Sequence, residues 1–299
     1  MRYISFRHVN RDSWGTYGPD GGVIDLGAEF INTIPTLRDY LTADDALKAK
    51  VAEYLNTGFG GGGGKTSDFP IGDVAMLPPI TNPGKILCVG LNYRKHAEET
   101  GNPIPSYPIL FPRWPESHVG DGQPMIAPHE SERFDYEGEL AVIIGKGGRR
   151  IAEADAMGYV AGYSCYNEGS IRDWQRHSSQ YLPGKNFFHS GAFGPCMVTA
   201  DEIPDPAELT LETRLNGEVV QHEGVDDLIF NVPQLIAYIS TYTALYAGDV
   251  IVTGTPSGVG HVRRPPLWMK DGDTVEVEIS KIGVLRNPIV ADSPLLTGC

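Results

Sequence analysis

The apolar residues of this chain come in short runs cut by glycine and proline, and that texture most restricts the folds open to it. Its 299 residues include 36 Gly and 23 Pro, which favours many short strands over long helices. Residues 85–90 (KILCVG) and 140–144 (LAVII) read as buried strands. Residues 249–253 (DVIVT) and the alternating Val275, Val277 and Ile279 read as further strands. Leu209, Leu211, Thr213 and Leu215 alternate with polar residues up to Asn216-Gly217, with Val219-Val220 beyond, the signature of a β-hairpin. Regular helices do not separate these strands, so a doubly wound parallel sheet fits poorly and an α+β, β-rich fold is expected.

The first 75 residues differ in texture. Tyr3-Ile4-Ser5-Phe6 and Gly22-Val23-Ile24-Asp25-Leu26 read as short strands around a Gly-Pro-Asp-Gly turn. Leu37, Leu41, Leu47, Val51 and Leu55 predict a helix over 36–56, and the glycine run 58–64 marks a boundary. The expected organisation is a small N-terminal α+β domain, residues 1–75, ending in a Gly-rich linker, and a second domain over 80–295. The run ends in Lys65-Thr66, but a phosphate-binding loop would need Gly where Phe59 stands, followed by a helix that SDFPIG does not form. Further on, Asp226 or Asp227 is expected to cap a helix carrying Ile229, Val232, Leu235, Ile236 and Ile239.

Against 38 Asp+Glu stand only 24 Lys+Arg, a formal charge of −14. Such a surface repels phosphate backbones and anionic lipid, which argues against nucleic-acid and membrane partners. An anionic substrate would then need a local cation, such as a metal ion. Cys88, Cys165, Cys196 and Cys299 form no CxxC pair, so reduced thiols in a cytoplasmic protein are expected, without structural zinc or disulfides. Neither a signal-length apolar stretch at the N-terminus nor a run of about 18 apolar residues occurs.

Three clusters carry chemistry. Glu137 and Glu139, two apart at the head of an apolar strand, point to one face, as a hard-cation site or as a solvated strand end. Glu168 follows the strand-like Tyr163-Ser164-Cys165-Tyr166 and is placed to project from its end, whereas Arg172 and Asp173 read as a structural ion pair. His96 and Glu99 lie at i and i+3 of a short helix, as an oriented general base or as ordinary surface residues.

The motifs GLNYRKHAEE (90–99), FDYEGELAVIIG (134–145), NEGSIRDWQ (167–175), LPGKNFF (182–188), TRLNGEVVQ (213–221) and GDVIVTGTPSGVG (248–260) stand in the order of a known family. By them the chain resembles the fumarylacetoacetate hydrolase superfamily, over roughly residues 80–293, with a small N-terminal segment like that of many bacterial members. The resemblance implies a mixed β-roll or β-sandwich core, a homodimer, and Mg²⁺ or Mn²⁺ held by three carboxylates. These map to Glu137, Glu139 and Glu168, the last standing where the family usually has Asp. It also implies a catalytic dyad, His96 and Glu99, with Lys185 and Gln175 orienting substrate and stabilising an oxyanion. Tyr93 and Thr255 fall at substrate-contact positions, and residues 103–119, with Tyr107, Phe111, Arg113, Trp114 and His118, are expected to set specificity. Arg113 reads equally as a partner for a second substrate carboxylate or as a surface arginine.

The implied reaction is hydrolysis of a C–C bond in a small anionic 2-oxo or β-diketo acid of acylpyruvate or fumarylpyruvate type, as in the breakdown of aromatic compounds. The same site would serve an oxaloacetate-type decarboxylase or a 2-hydroxydienoate isomerase or hydratase, because fold does not fix function. A non-catalytic metal-binding relative is a further alternative. Against it stands the joint presence of His96, Glu99, Lys185 and Thr255.

Overall fold

The structure, a computed structural model, describes residues 1–60 and 66–293. Most of the expected glycine linker, as well as Cys299, lies outside them. Among the described residues the strands form an eleven-stranded mixed sheet, a five-stranded sheet and a two-stranded ribbon, the expected β-rich α+β architecture. Across the large sheet the main path runs Val23–Asp25, Arg11–Tyr17, Arg2–His8, Gly191–Thr199, Val160–Asn167, Gly138–Ile144, Val250–Val252, Ile86–Gly90 and Ile109–Arg113. The five-stranded sheet runs Glu218–Gly224, Thr210–Leu215, Thr274–Ile279, Gly283–Ala291 and Met125–Ala127. The N-terminal unit shares its sheet with the strands that follow, since Arg2 and Tyr3 pair with Val198 and Met197.

The central strand, Gly138–Ile144, is buried along its whole length. Leu140, Val142 and Ile144 join the apolar layer of Leu211, Val277, Ile279 and Leu285 from the five-stranded sheet. Ala141 and Ile143, on the opposite face, join Trp14, Leu37, Val51, Ile86 and Val250. The N-terminal helices therefore cover the same face from which Glu137 and Glu139 project. Among the described residues, no helix is long and apolar enough to cross a membrane.

Several local expectations are corrected. The helical stretch 36–56 is two helices, Leu37–Thr42 and Asp45–Leu55, because Ala43 is extended and Asp44 starts a new helix by accepting from the Leu47 N–H at 2.8 Å. The later helix is Val232–Tyr242, capped by Asn231 rather than Asp226 or Asp227, and Ile229 precedes it. Asn231 and Gln234 form a reciprocal capping box with Pro233 in the first turn, which outcompetes the earlier aspartates. An unanticipated strand, Arg11–Tyr17, lies between the two expected near the N-terminus; its polar sequence hides a stretch buried from Ser13 to Thr16. The Asn216-Gly217 hairpin forms as expected, with φ of 53° and 82° supplying the left-handed pair that such a turn requires.

At Gly138 the two sheets approach so closely that a Cβ would stand 2.2 Å from Thr213 Oγ1 and 3.2 Å from Leu211 Cδ2. Gly138→Ala must push the sheets apart where the short Thr213 side chain has little room to yield. It is expected to destabilise the protein by about 1–3 kcal/mol in urea unfolding; wild-type stability would show that the inter-sheet packing adapts there.

Candidate metal centre and its cavity

Sheet pairing brings the acids together. Gly138–Ile144 runs antiparallel to Val160–Asn167 with Gly138 opposite Asn167, so Glu137 and Glu168 meet just beyond the ladder. The Glu168 N–H donates to the Glu137 carbonyl at 2.8 Å, and the Glu137 N–H to Asn167 Oδ1 at 3.1 Å. Glu137, Glu139 and Glu168 are all buried, and one carboxylate oxygen of each lies within 4.8 Å of the others.

Three like charges in a buried pocket repel strongly unless cations offset them. Lys185, on the short helix Leu182–Lys185, places Nζ 2.5 Å from Glu137 Oε2 and 2.6 Å from Glu168 Oε2. Arg172 places Nη2 2.6 Å from Glu137 Oε1 and donates through Nε to Asp135 at 2.8 Å. The expected Arg172–Asp173 pair is therefore replaced by one turned inward, while Asp173 accepts from Ser131 Oγ at 2.6 Å and from the Trp174 N–H at 3.1 Å.

The compensation is uneven. Burial pushes the Glu137 carboxyl up, but Arg172 and Lys185 outweigh it and hold the group below the usual carboxylate range. Burial and then the Glu168 and Glu137 charges drive Glu139 well above that range. Glu168 is raised as well, chiefly by burial, with Lys185 opposing and Glu137 adding to the rise. Its Oε1 is buried without a hydrogen-bond partner, a buried acceptor still lacking a donor or cation. An all-oxygen donor set with excess negative charge suits a hard divalent cation, so the residues present fit the metal that the family implies.

The acids form one end of a cavity of about 490 Å³. His96 and Glu99, from the helix Arg94–Glu99, line the same cavity, with His96 Nδ1 2.7 Å from Glu99 Oε1. The other Glu99 oxygen accepts from the Gly258 N–H at 2.9 Å, which fixes the dyad. Lys185, Gln175 and Thr255 also line it. Gln175 Oε1 accepts from Arg172 Nη1 at 3.0 Å, and Thr255 Oγ1 donates to the Gly138 carbonyl at 3.0 Å.

Eight of the ten site residues read from the sequence thus share one cavity. Tyr93 and Arg113 stand outside its lining. Tyr93 is buried as the N-cap residue of the Arg94–Glu99 helix. The buried Arg113 guanidinium donates to Ser117 Oγ at 3.2 Å, the Gly169 carbonyl at 3.1 Å and Ser190 Oγ at 3.0 Å, an internal brace that is neither substrate clamp nor surface arginine. Of the stretch 103–119, Phe111 reaches the cavity, whereas His118 is buried against the Tyr166 hydroxyl and Tyr107 and Trp114 are exposed.

Two contributors were missed. Asp135 accepts from Arg172 and from the Gly260 and His261 N–H groups at 2.7 and 3.0 Å, anchoring the guanidinium that faces Glu137. Its signal was the two-residue spacing it shares with Glu137 and Glu139. Gln221 accepts from the Gly138 N–H at 2.9 Å and donates to Thr255 Oγ1 at 2.8 Å, tying the hairpin to the ligand strand.

Two outcomes follow for metal binding. Glu168→Gln removes one charge and one oxygen donor and is expected to weaken Mn²⁺ binding by about 100-fold in calorimetry, the scale on which metal sites respond to altered ligation; unchanged affinity would remove Glu168 from the ligand set. Glu139 and Glu168 hold protons more tightly in the folded state than the value of about 4.3 for a free glutamate, so the folded state binds more protons above that pH. Stability of the EDTA-treated protein should therefore fall as pH rises from about 4.3 through the raised values. Glu137, shifted the other way, acts only below that window. Saturating Mn²⁺ should flatten the decline in Tm, and a decline indifferent to Mn²⁺ would place the cation elsewhere.

The sequence profile described as fumarylacetoacetate (FAA) hydrolase C-terminal matches residues 85–290. The mitochondrial oxaloacetate tautomerase FAHD2A of Bos taurus is 41% identical over 300 residues, covering 97% of this chain and 92% of its own. The structure of 5-carboxymethyl-2-hydroxymuconate delta-isomerase from Mycobacterium smegmatis superposes with a TM-score of 0.74 at 30% identity, covering 98% of this chain and 100% of that one. Maleylpyruvate hydrolase from Sphingobium sp. SYK-6, solved in complex with manganese (II) ion and pyruvate, superposes with a TM-score of 0.79 at 25% identity and the same coverage. The chain belongs to the fumarylacetoacetate hydrolase family.

Proposed function

We propose that this protein is a Mg²⁺- or Mn²⁺-dependent enzyme that moves a proton on a small 2-oxo acid, a keto–enol tautomerase acting on oxaloacetate or a close analogue. The observation that carries this reading is the His96–Glu99 dyad on the same 490 Å³ cavity as the three carboxylates. Its likeness to the bovine oxaloacetate tautomerase supports proton transfer over the C–C hydrolysis that the sequence motifs put first.

A divalent cation at Glu137, Glu139 and Glu168 supplies positive charge that steadies negative charge developing on the 2-oxo oxygen. The remaining work falls to side chains. With Glu99 accepting from Nδ1–H, His96 presents Nε2 as the basic nitrogen, which takes the proton from the carbon beside the oxo group. The same proton, returned to oxygen, completes the enol, and the reverse order gives the ketone. Glu99 orients the ring and stabilises the imidazolium formed between the two transfers. Lys185 and Gln175, on the cavity wall, orient the acid and hold its oxyanion.

Hydrolytic cleavage of an acylpyruvate or fumarylpyruvate is the second reading, supported by the likeness to maleylpyruvate hydrolase. There His96 would take its proton from water. The homodimer and cytoplasmic location expected from the sequence belong to this proposal.

The test follows enol-oxaloacetate by ultraviolet absorbance with Mn²⁺, with Mg²⁺ and with EDTA, alongside acylpyruvates with products identified by mass. EDTA-sensitive enol loss without carbon dioxide or pyruvate supports the tautomerase; pyruvate plus a matching acid from a diketo acid supports the hydrolase instead. His96→Ala should lower kcat by about 100-fold or more while Mn²⁺ binding persists. Full activity in that variant would remove the dyad from either mechanism.

A further inference from the structure

The solvent-exposed charges of the cavity lining are cationic, whereas the buried ones are the carboxylates with Lys185 and Arg172 against them. Its acidic lining residues are the three buried carboxylates and Glu99, whereas Arg176 and Arg264 line it while exposed to solvent. Arg176 directly follows the helix Arg172–Gln175, whose first residue touches Glu137, so one turn of chain leads from the carboxylates to the mouth. Among the described residues its side chain faces no acidic partner within ion-pair distance. Among the described residues, Arg264 is steadied through Nη1, which donates to the Val262 and Arg263 carbonyls at 3.2 and 3.0 Å.

A second cavity, of about 540 Å³, adjoins the first and shares Arg172, Arg176 and His261 with it. Arg133 and Trp268 also line it. Its one acid, Asp173, is engaged by Ser131 Oγ and the Trp174 N–H. The two cavities thus meet along Arg172, Arg176 and His261, with Arg176 exposed to solvent on both linings and the carboxylates buried on the first.

A protein of charge −14 repels a dianion more than a monoanion at long range, so a dianionic substrate needs fixed cations near its outer end. A guanidinium with no acidic partner offers a planar fork of N–H donors that matches a carboxylate. We propose that Arg176 and Arg264 are specificity-determining residues that bind the distal carboxylate of a dicarboxylic 2-oxo acid, with the adjoining cavity leaving room for longer members of that class. This rests on the reading of the carboxylate triad as the seat of a metal and of the 2-oxo acid end.

The test is calorimetric binding to the Mn²⁺-loaded protein of two probes that differ in a distal carboxylate, pyruvate and 2-oxoglutarate. Wild type should bind 2-oxoglutarate more tightly. Arg176→Gln and Arg264→Gln should each reduce the ratio of the two affinities by about tenfold, the scale of one charge-assisted hydrogen bond. Because both side chains are exposed, the variants should keep the wild-type melting temperature. A double variant with the wild-type ratio, a wild type with no preference, or an equal loss for both probes would overturn the proposal. Absence of enol–keto turnover with the ratio still collapsing would sink the tautomerase reading alone. Turnover without any arginine effect would sink this inference alone.

Discussion

Mutual repulsion among Glu137, Glu139 and Glu168 is the force that the rest of the site is arranged to contain. Strand pairing leaves no freedom to separate them, because the ladder between Gly138 and Asn167 fixes where Glu137 and Glu168 emerge. The fold answers with a chain of alternating charge, Asp135 to Arg172 to Glu137 to Lys185 to Glu168. Glu139 is left outside that chain, with the Gly254 N–H at 2.6 Å as its hydrogen-bond donor. The shortfall lies on the side of positive charge, which is why this pocket suits a cation and why Glu139 and Glu168, unlike Glu137, are pushed toward their protonated forms.

One loop coordinates these groups. Backbone N–H groups of Gly254, Gly258, Gly260 and His261 donate to Glu139, Glu99 and Asp135 in turn. A carboxylate of the candidate metal centre, the residue proposed to orient the base and the anchor of the countercharge are thus held by a single run of backbone. Backbone donors stabilise anions without adding a titratable group, and their positions are set by the strand Val250–Val252 that enters the loop. A shift in that loop would disturb metal affinity and base orientation together, so the two should be coupled in variants far from either.

Much of this was legible because short spacings translate directly into geometry. The two-residue step in Glu137 and Glu139 and the three-residue step in His96 and Glu99 each specify a shared face. What spacing does not specify is where a long side chain turns. Arg172 lies beside Asp173 in sequence, yet its partners come from residues 135 and 137. Arg113 ends the strand Ile109–Arg113 with its guanidinium braced internally, although its residue type and neighbourhood invited a substrate role. Tyr93 caps the helix Arg94–Glu99 but spends its side chain on packing in the core. The misplaced helix cap has a similar origin: Asp226, Asp227 and Asn231 are all competent caps, and the choice depends on Gln234 completing the box and on the turn Val225–Asp227 claiming the aspartates. The strand Arg11–Tyr17 escaped because its burial comes from lying between the strands on either side of it rather than from its own apolar pattern.

The distribution of charge also bears on which chemistry the site can support. An acidic protein that concentrates three further acids at the end of a cavity makes that end hostile to a carboxylic acid substrate until a cation arrives. Metal and substrate should therefore bind with positive coupling, each raising the affinity for the other by the same factor. Lys185 sharpens this coupling, since the ammonium that neutralises Glu137 and Glu168 also faces the cavity and is positioned to attend an oxyanion. Proton transfer, decarboxylation and hydrolysis all draw on that arrangement, because each develops negative charge on the same oxo oxygen. They diverge at what faces His96 in the proposed reading: a carbon-bound proton for tautomerisation, a water for hydrolysis, and neither for the loss of carbon dioxide. The reaction is thus selected by what the substrate and the cavity walls place opposite one imidazole nitrogen, while the buried carboxylates supply the setting common to them all.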